Sequence, residues 1–182
     1  LFSQEIKQDT TRVQNLEEVI VSSIRVKQNA PIAFTNVSKD ELGKKNLGQD
    51  LPILLNSLTS VVTTSDAGAG VGYTGIRIRG INAQSTNITI NGIPYNDAES
   101  LGTYWVDLPD FASSVENLQV QRGVGTSTNG SSAFGASINI LTDLISKNSY
   151  FENSNSVGSY NTIKNTFKVQ LPAVDVEVKI TW

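Results

Sequence analysis

The sequence predicts an α+β domain: a small mixed β-sheet with short helices and long loops, followed by a few strands of β-barrel type. Three observations predict it. Short β-branched stretches recur between Val61 and Leu141, separated by Gly, Asn and Pro turn signals. Two short helix signatures precede them, at Ser38–Glu41 and from Asp50. After Thr142 the texture changes to hairpin-like segments that end in a strictly alternating run.

The elements follow in order. Leu1 to Asn15 is polar without a clear period and reads as a flexible arm. Leu16 to Ser23 is β-branched and extended in character. Ser38-Lys39-Asp40-Glu41 fits a capping box, in which Ser38 caps the helix and Glu41 reaches back to it, with the helix stopping near Gly43. A second helix is expected from Asp50, because Pro52 suits a first turn. Leu51, Leu54, Leu55 and Leu58 then share one face and read as core packing.

Val61 to Thr64 reads as a strand, and Ile76-Arg77-Ile78-Arg79-Gly80-Ile81 as another, with both arginines on the face opposite the isoleucines. Asn87 to Ile90 is a further strand, closed by the hairpin-turn pair Asn91-Gly92. Tyr95 to Asp107 is a loop, while Asn117–Arg122 and Ser137–Leu141 alternate again. Beyond Thr142, Tyr150–Ser156 and Thr162–Val169 read as two strands around Gly158-Ser159. Val174, Val176, Val178, Ile180 and Trp182 alternate with polar residues, the pattern of a strand with lipid on one side and water on the other.

Composition excludes several chemistries. The 182 residues contain no His and no Cys, which removes His/Cys zinc sites, the Ser-His-Asp triad and thiol nucleophiles. A net charge of -3 argues against a nucleic-acid partner. No apolar run reaches the roughly 18 residues of a spanning helix, a test that membrane β-strands escape. Met is absent, position 1 included, so the chain is expected to be processed or excised.

Gly70-Val71-Gly72-Tyr73-Thr74-Gly75 matches G-x-G-x-x-G, but a β-patterned segment follows where pyrophosphate binding needs a helix N-terminus, and a loop is the better reading. Glu17-Glu18 and Asp97/Glu99 are the close acidic groupings and read as solvated surface. Arg77 and Arg79 suit either an anion or carboxylates on a partner surface, or simply a solvated edge.

Taken together, several segments resemble the plug domain of TonB-dependent outer-membrane receptors. Val115-Glu116-Asn117-Leu118-Gln119-Val120-Gln121-Arg122-Gly123, continuing through Ser131–Ala136 to Ile138-Asn139-Ile140-Leu141-Thr142, resembles the family's E-x-I-E-V-x-R-G-P … Y-G-x-x-A-x-G-G-x-I-N-I-I-T. Ile76 to Gly80 resembles I-R-I-R-G, and Ile88 to Pro94 resembles V-L-I-D-G-I-P. Leu16 to Ser23 resembles the energy-coupling segment called the TonB box. Val124 stands in place of the family's Pro, Phe134 of its Tyr, and Ala136 of its second Gly. The stretch from Val124 to Gly130 resembles receptors of Bacteroidetes-type bacteria.

The resemblance implies an arm over residues 1–15, a plug over 16–142 with its TonB box at about 17–23, and remnants of transmembrane barrel strands over 143–182. A plugged transporter barrel has about 22 strands, so most of a barrel is expected to be missing from this chain. The implied activity is active uptake of a scarce nutrient (iron–siderophore, cobalamin, haem or oligosaccharide), with no enzymatic step, no cofactor and no metal site. The implied partners are the periplasmic TonB C-terminal domain, the receptor's own β-barrel, a small nutrient ligand and the outer membrane, but no nucleic acid.

The implied sites are Glu18, Val19, Ile20, Val21 and Ser22 for TonB; Arg79, Gly80, Arg122 and Gly123 as the plug–barrel latch; and Tyr73, Tyr95, Asp97, Tyr104 and Trp105 on apical loops as substrate contacts. The same aromatics could instead pin their loops. The residues alone leave open a soluble β-rich binding or adhesin-like module, or a carboxylate-dependent hydrolase acting on sugars, and the resemblance leaves open an inactive receptor fragment that keeps the plug pattern without transport.

Overall fold

A computed structural model describes residues 25–27, 29–124, 132–144, 148–159 and 161–171. Strands β1 (Ala33–Ser38), β4 (Thr86–Ile90), β5 (Ile93–Pro94), β6 (Val115–Arg122) and β7 (Ala136–Thr142) form one sheet in the order β1-β6-β7-β4-β5. Neighbours run antiparallel except β4 and β7, which are parallel, so the sheet is mixed. β2 (Val61–Ser65) and β3 (Thr74–Ile78) form a separate hairpin, as do β8 (Tyr150–Val157) and β9 (Ile163–Gln170).

The helices are short and start where the sequence places them. Helix α1 (Lys39–Gly43) carries the full capping box: Glu41 N–H donates to Ser38 Oγ, and Ser38 N–H donates to Glu41 Oε2. Helix α2 (Leu51–Leu54) begins with Pro52 in its first turn and tightens into a 3-10 turn over Leu55–Ser57. Leu51, Leu54 and Leu55 are buried and Leu58 packs against the same core.

Register explains where that core sits. Val37, Leu118, Ile140 and Ile90 lie side by side across β1, β6, β7 and β4, and Val120, Ile138 and Ile88 form the adjacent row. With α2, Val61, Ile76, Ile78, Trp105 and Val115 they make one cluster. Side chains alternate across a strand, so the residues between these rows face the other way. There the rows are Asn36–Gln119–Asn139–Thr89 and Gln121–Ser137–Asn87. Apart from Asn36 on the edge strand, that second face is polar yet buried. Its polar side chains bond to one another: Thr89 Oγ1 donates to Asn139 Oδ1 at 2.7 Å, Gln119 Nε2 to Asn36 Oδ1 at 2.8 Å, and Gln121 Nε2 to Gln119 Oε1 at 3.0 Å.

Two turns decide local shape. Asn91 and Gly92 both have positive φ (51° and 84°), the geometry of a two-residue hairpin turn between β4 and β5. The alternation expected through Arg79 stops one residue earlier. Arg79 has φ 55° and forms a turn with Gly80, closed by a bridge between Ile78 and Ile81, so Arg79 leaves the strand face that Arg77 occupies. The loop 66–73 leads straight into β3, so no helix follows the glycines.

Candidate functional site: latch, apical loops and hairpin

The expected TonB-box residues Glu18, Val19, Ile20, Val21 and Ser22 lie outside the described residues, as does the 125–130 stretch. The alternating run 174–182 also lies outside them.

The two Arg-Gly pairs meet at one end of the sheet. Arg79 N–H donates to Ser60 O at 2.8 Å, and its guanidinium lies so close to Gly123 that a Cβ there would fall 3.1 Å from Nη1. Gly123 has φ 105°, and its N–H donates to Gly135 O at 2.8 Å. Arg122 reaches the carbonyls of Thr59 and Phe34, each at 3.4 Å. Among the described residues neither Arg79 nor Arg122 makes an ion pair. Gly135 fixes the spacing here, because an added Cβ would lie 2.4 Å from Ile81 Cγ2.

The residues expected on apical loops separate into exposed and anchoring groups. Tyr73 is 68% exposed and Tyr104 50%. Asp97 is exposed and accepts from Ser100 N–H and Ser100 Oγ, both at 2.7 Å, which holds its carboxyl below the ordinary aspartate range. Tyr104 Oη donates to the same Ser100 hydroxyl at 3.3 Å. Tyr95 packs partly against the core, and burial, with Asp107 nearby, raises its phenol pKa. Trp105 is only 2% exposed and belongs to the core cluster. Its ring anchors the loop and offers no stacking face, which removes it from the expected substrate contacts.

The β8–β9 hairpin adds contacts that the sequence did not announce. Along β9, Lys164, Thr166, Lys168 and Gln170 are partly buried, whereas Ile163, Phe167 and Val169 are exposed. Phe151 and Val157 of β8 are exposed too, with the Phe151 and Phe167 rings 5.6 Å apart. The lysines meet acids of the domain. Lys164 Nζ lies 2.7 Å from Asp110 Oδ1, and Lys168 pairs with Asp143. Asp143 is shared with Lys39 at 2.6 Å, and Lys39 also approaches Glu116 at 3.6 Å. Asp110 is held in turn by Asn46 and Ser113. A polar cleft of about 470 Å³ remains between α1, Ser113 and the hairpin. The lysines follow a period-two burial pattern along β9, but their acidic partners lie on segments far away in sequence.

Among the described residues no three His, Cys, Asp or Glu side chains group as a metal site, and no helix is long and apolar enough to cross a membrane. The latter says nothing of strands.

Comparison with known proteins fits this geometry. The chain is 30% identical over 133 residues to the vitamin B12 transporter BtuB of Vibrio vulnificus, covering 71% of this chain and 21% of that protein. It is 24% identical over 142 residues to the ferrienterobactin receptor of Escherichia coli K12, covering 72% and 19%. Among solved structures, the ferric yersiniabactin uptake receptor FyuA from Yersinia pestis shares the fold with a TM-score of 0.59 at 19% identity, over 79% of this chain and 22% of that one. The chain thus spans about a fifth of the length of these relatives. The family profile for the TonB-dependent receptor plug domain matches residues 26–137, and the chain belongs to that family.

Proposed function

We propose that this chain is the plug, with early strands of its barrel, of an active transporter in the Gram-negative outer membrane. The transporter binds a scarce nutrient (an iron–siderophore complex, cobalamin, haem or an oligosaccharide) and opens when the TonB C-terminal domain pulls on Glu18–Ser22. No step in this cycle is enzymatic. Arg79 and Arg122 act as the latch toward barrel carboxylates, and Tyr73, Asp97 and Tyr104 offer the apical contacts. Tyr95 supports that loop from below.

The observation that carries this reading beyond family membership is the two-sidedness of β8–β9. Its apolar side chains face away from the domain, and its lysines face inward onto Asp110 and Asp143. A strand standing between hydrocarbon and a polar lumen needs that arrangement. Glu18 to Ser22 is β-prone and free of Pro, as strand addition to a partner sheet requires.

The test is binding of the 182-residue chain to purified TonB C-terminal domain, beside a Val19→Pro variant. Proline removes a ladder donor, so binding is expected for the parent chain and not for the variant. Equal binding by both proteins, or none by the folded parent, would overturn the coupling role.

A further inference from the structure

Ahead of β1, Arg25 and Val26 contact the central sheet. The chain crosses the polar face of the sheet at Val26, which is 7% exposed. Val26 N–H donates to Gln119 Oε1 at 2.8 Å, and Gln119 Nε2 donates to Val26 O at 3.2 Å. One side-chain carboxamide thus presents to Val26 the donor and acceptor that a neighbouring strand would present. Gln119 is 2% exposed, and its amide is oriented by Asn36 Oδ1 and Gln121 Nε2. A residue earlier, Arg25 Nη2 lies 3.4 Å from Asn117 O and 3.3 Å from Asn139 O, on the two strands beneath. No carboxylate pairs with Arg25 among the described residues, and burial lowers its pKa.

We propose that Gln119 is a positioning residue for the coupling segment: its two-point clasp on Val26 holds the chain against the sheet and sets how readily TonB takes Glu18–Ser22, which ends three residues before Arg25. The clasp rests on geometry alone; its effect on TonB rests on the proposed function. The neutral amide is essential to it. A carboxylate, which the resembled motif carries at this position, accepts from Val26 N–H but cannot donate to Val26 O. The contact is also replaceable, because water can satisfy the same two peptide groups once the chain lifts away.

The experiment uses the whole 182-residue chain in three forms: parent, Gln119→Leu and Val26→Pro. The first readout is trypsin cutting after Lys27, with hydrogen exchange at Ile138 reporting the sheet. Cutting is expected to be at least about tenfold faster in both variants while Ile138 stays protected, since each variant removes a clasp bond. Unchanged cutting in Val26→Pro, which alters no residue of the sheet, overturns the clasp even if Gln119→Leu loosens the fold. The second readout is affinity for the TonB C-terminal domain, expected to rise several-fold in both variants. Faster cutting with unchanged affinity reduces Gln119 to a structural role and overturns the positioning proposal. If no form binds TonB, the functional reading fails and the positioning role with it, while the protease result still decides the clasp.

Discussion

The two faces of the central sheet are built on the same strands and hold in different ways. One residue separates Leu118 from Gln119 and Ile140 from Asn139, yet the first of each pair joins the apolar cluster and the second a buried amide row. The apolar face is held by close packing, which is non-directional and lost only when the elements part. The polar face is held by discrete hydrogen bonds, each of which water can replace. Val26 lies on the polar face, bonded to Gln119. If the proposed release of the chain at Val26 under load holds, the polar face is the one whose bonds can be exchanged for water.

The comparison breaks most easily at its apolar side. Leu118→Ala should destabilise the chain by about 2–5 kcal/mol in a denaturant titration, since its side chain is fully buried at the centre of the cluster. A loss well below that would mean the apolar rows are not a packed core. Gly135→Ala, where the added methyl meets Ile81, should cost about 1–3 kcal/mol and lower the melting temperature.

On the polar face the effects should be smaller and of a different kind. Thr89→Val leaves Asn139 Oδ1 without its hydroxyl donor and should cost about 1 kcal/mol. Adding Asn139→Leu should recover part of that loss, because replacing both partners with apolar groups removes the unsatisfied atom. A double variant worse than the sum of the two singles would show that packing, not hydrogen bonding, governs this face. Lys39→Ala, between Asp143 and Glu116, should cost at most about 1 kcal/mol, with the difference shrinking in high salt.

The smallest effect concerns the turn at Asp97–Ser100. The folded-state pKa of Asp97 lies below its ordinary value, so its contribution is present above that value and is lost as pH falls through the folded one. Line broadening of Ser100 in an NMR titration should therefore begin only in acid below the usual aspartate range. In Asp97→Asn that pH dependence should vanish.

The β-rich pattern, the capping box at Ser38, the Leu stripe and the Asn91-Gly92 turn were legible because each depends on neighbours within a few residues. The family was legible because its motifs are contiguous runs. Less could be read of the sites. Trp105 and Tyr104 are adjacent aromatics in one loop, yet one is core and the other half exposed, a choice made by what packs beneath the loop. Arg79 sat in an alternating run and left it, because Gly80 permits a turn that the pattern cannot show.

The sequence by itself determined the two helix starts, most of the strands and the family, because these follow from local periodicity and ordered motifs; the edge strand β1 carried no such signal. Tertiary structure alone decided which strands adjoin, so only it could place Asn36, Gln119, Asn139 and Thr89 in one row, bring Arg79 beside Gly123, and set Lys164 and Lys168 on Asp110 and Asp143. The physical reason is that hydrogen bonds and ion pairs act over a few ångströms in space, between residues tens of positions apart along the chain.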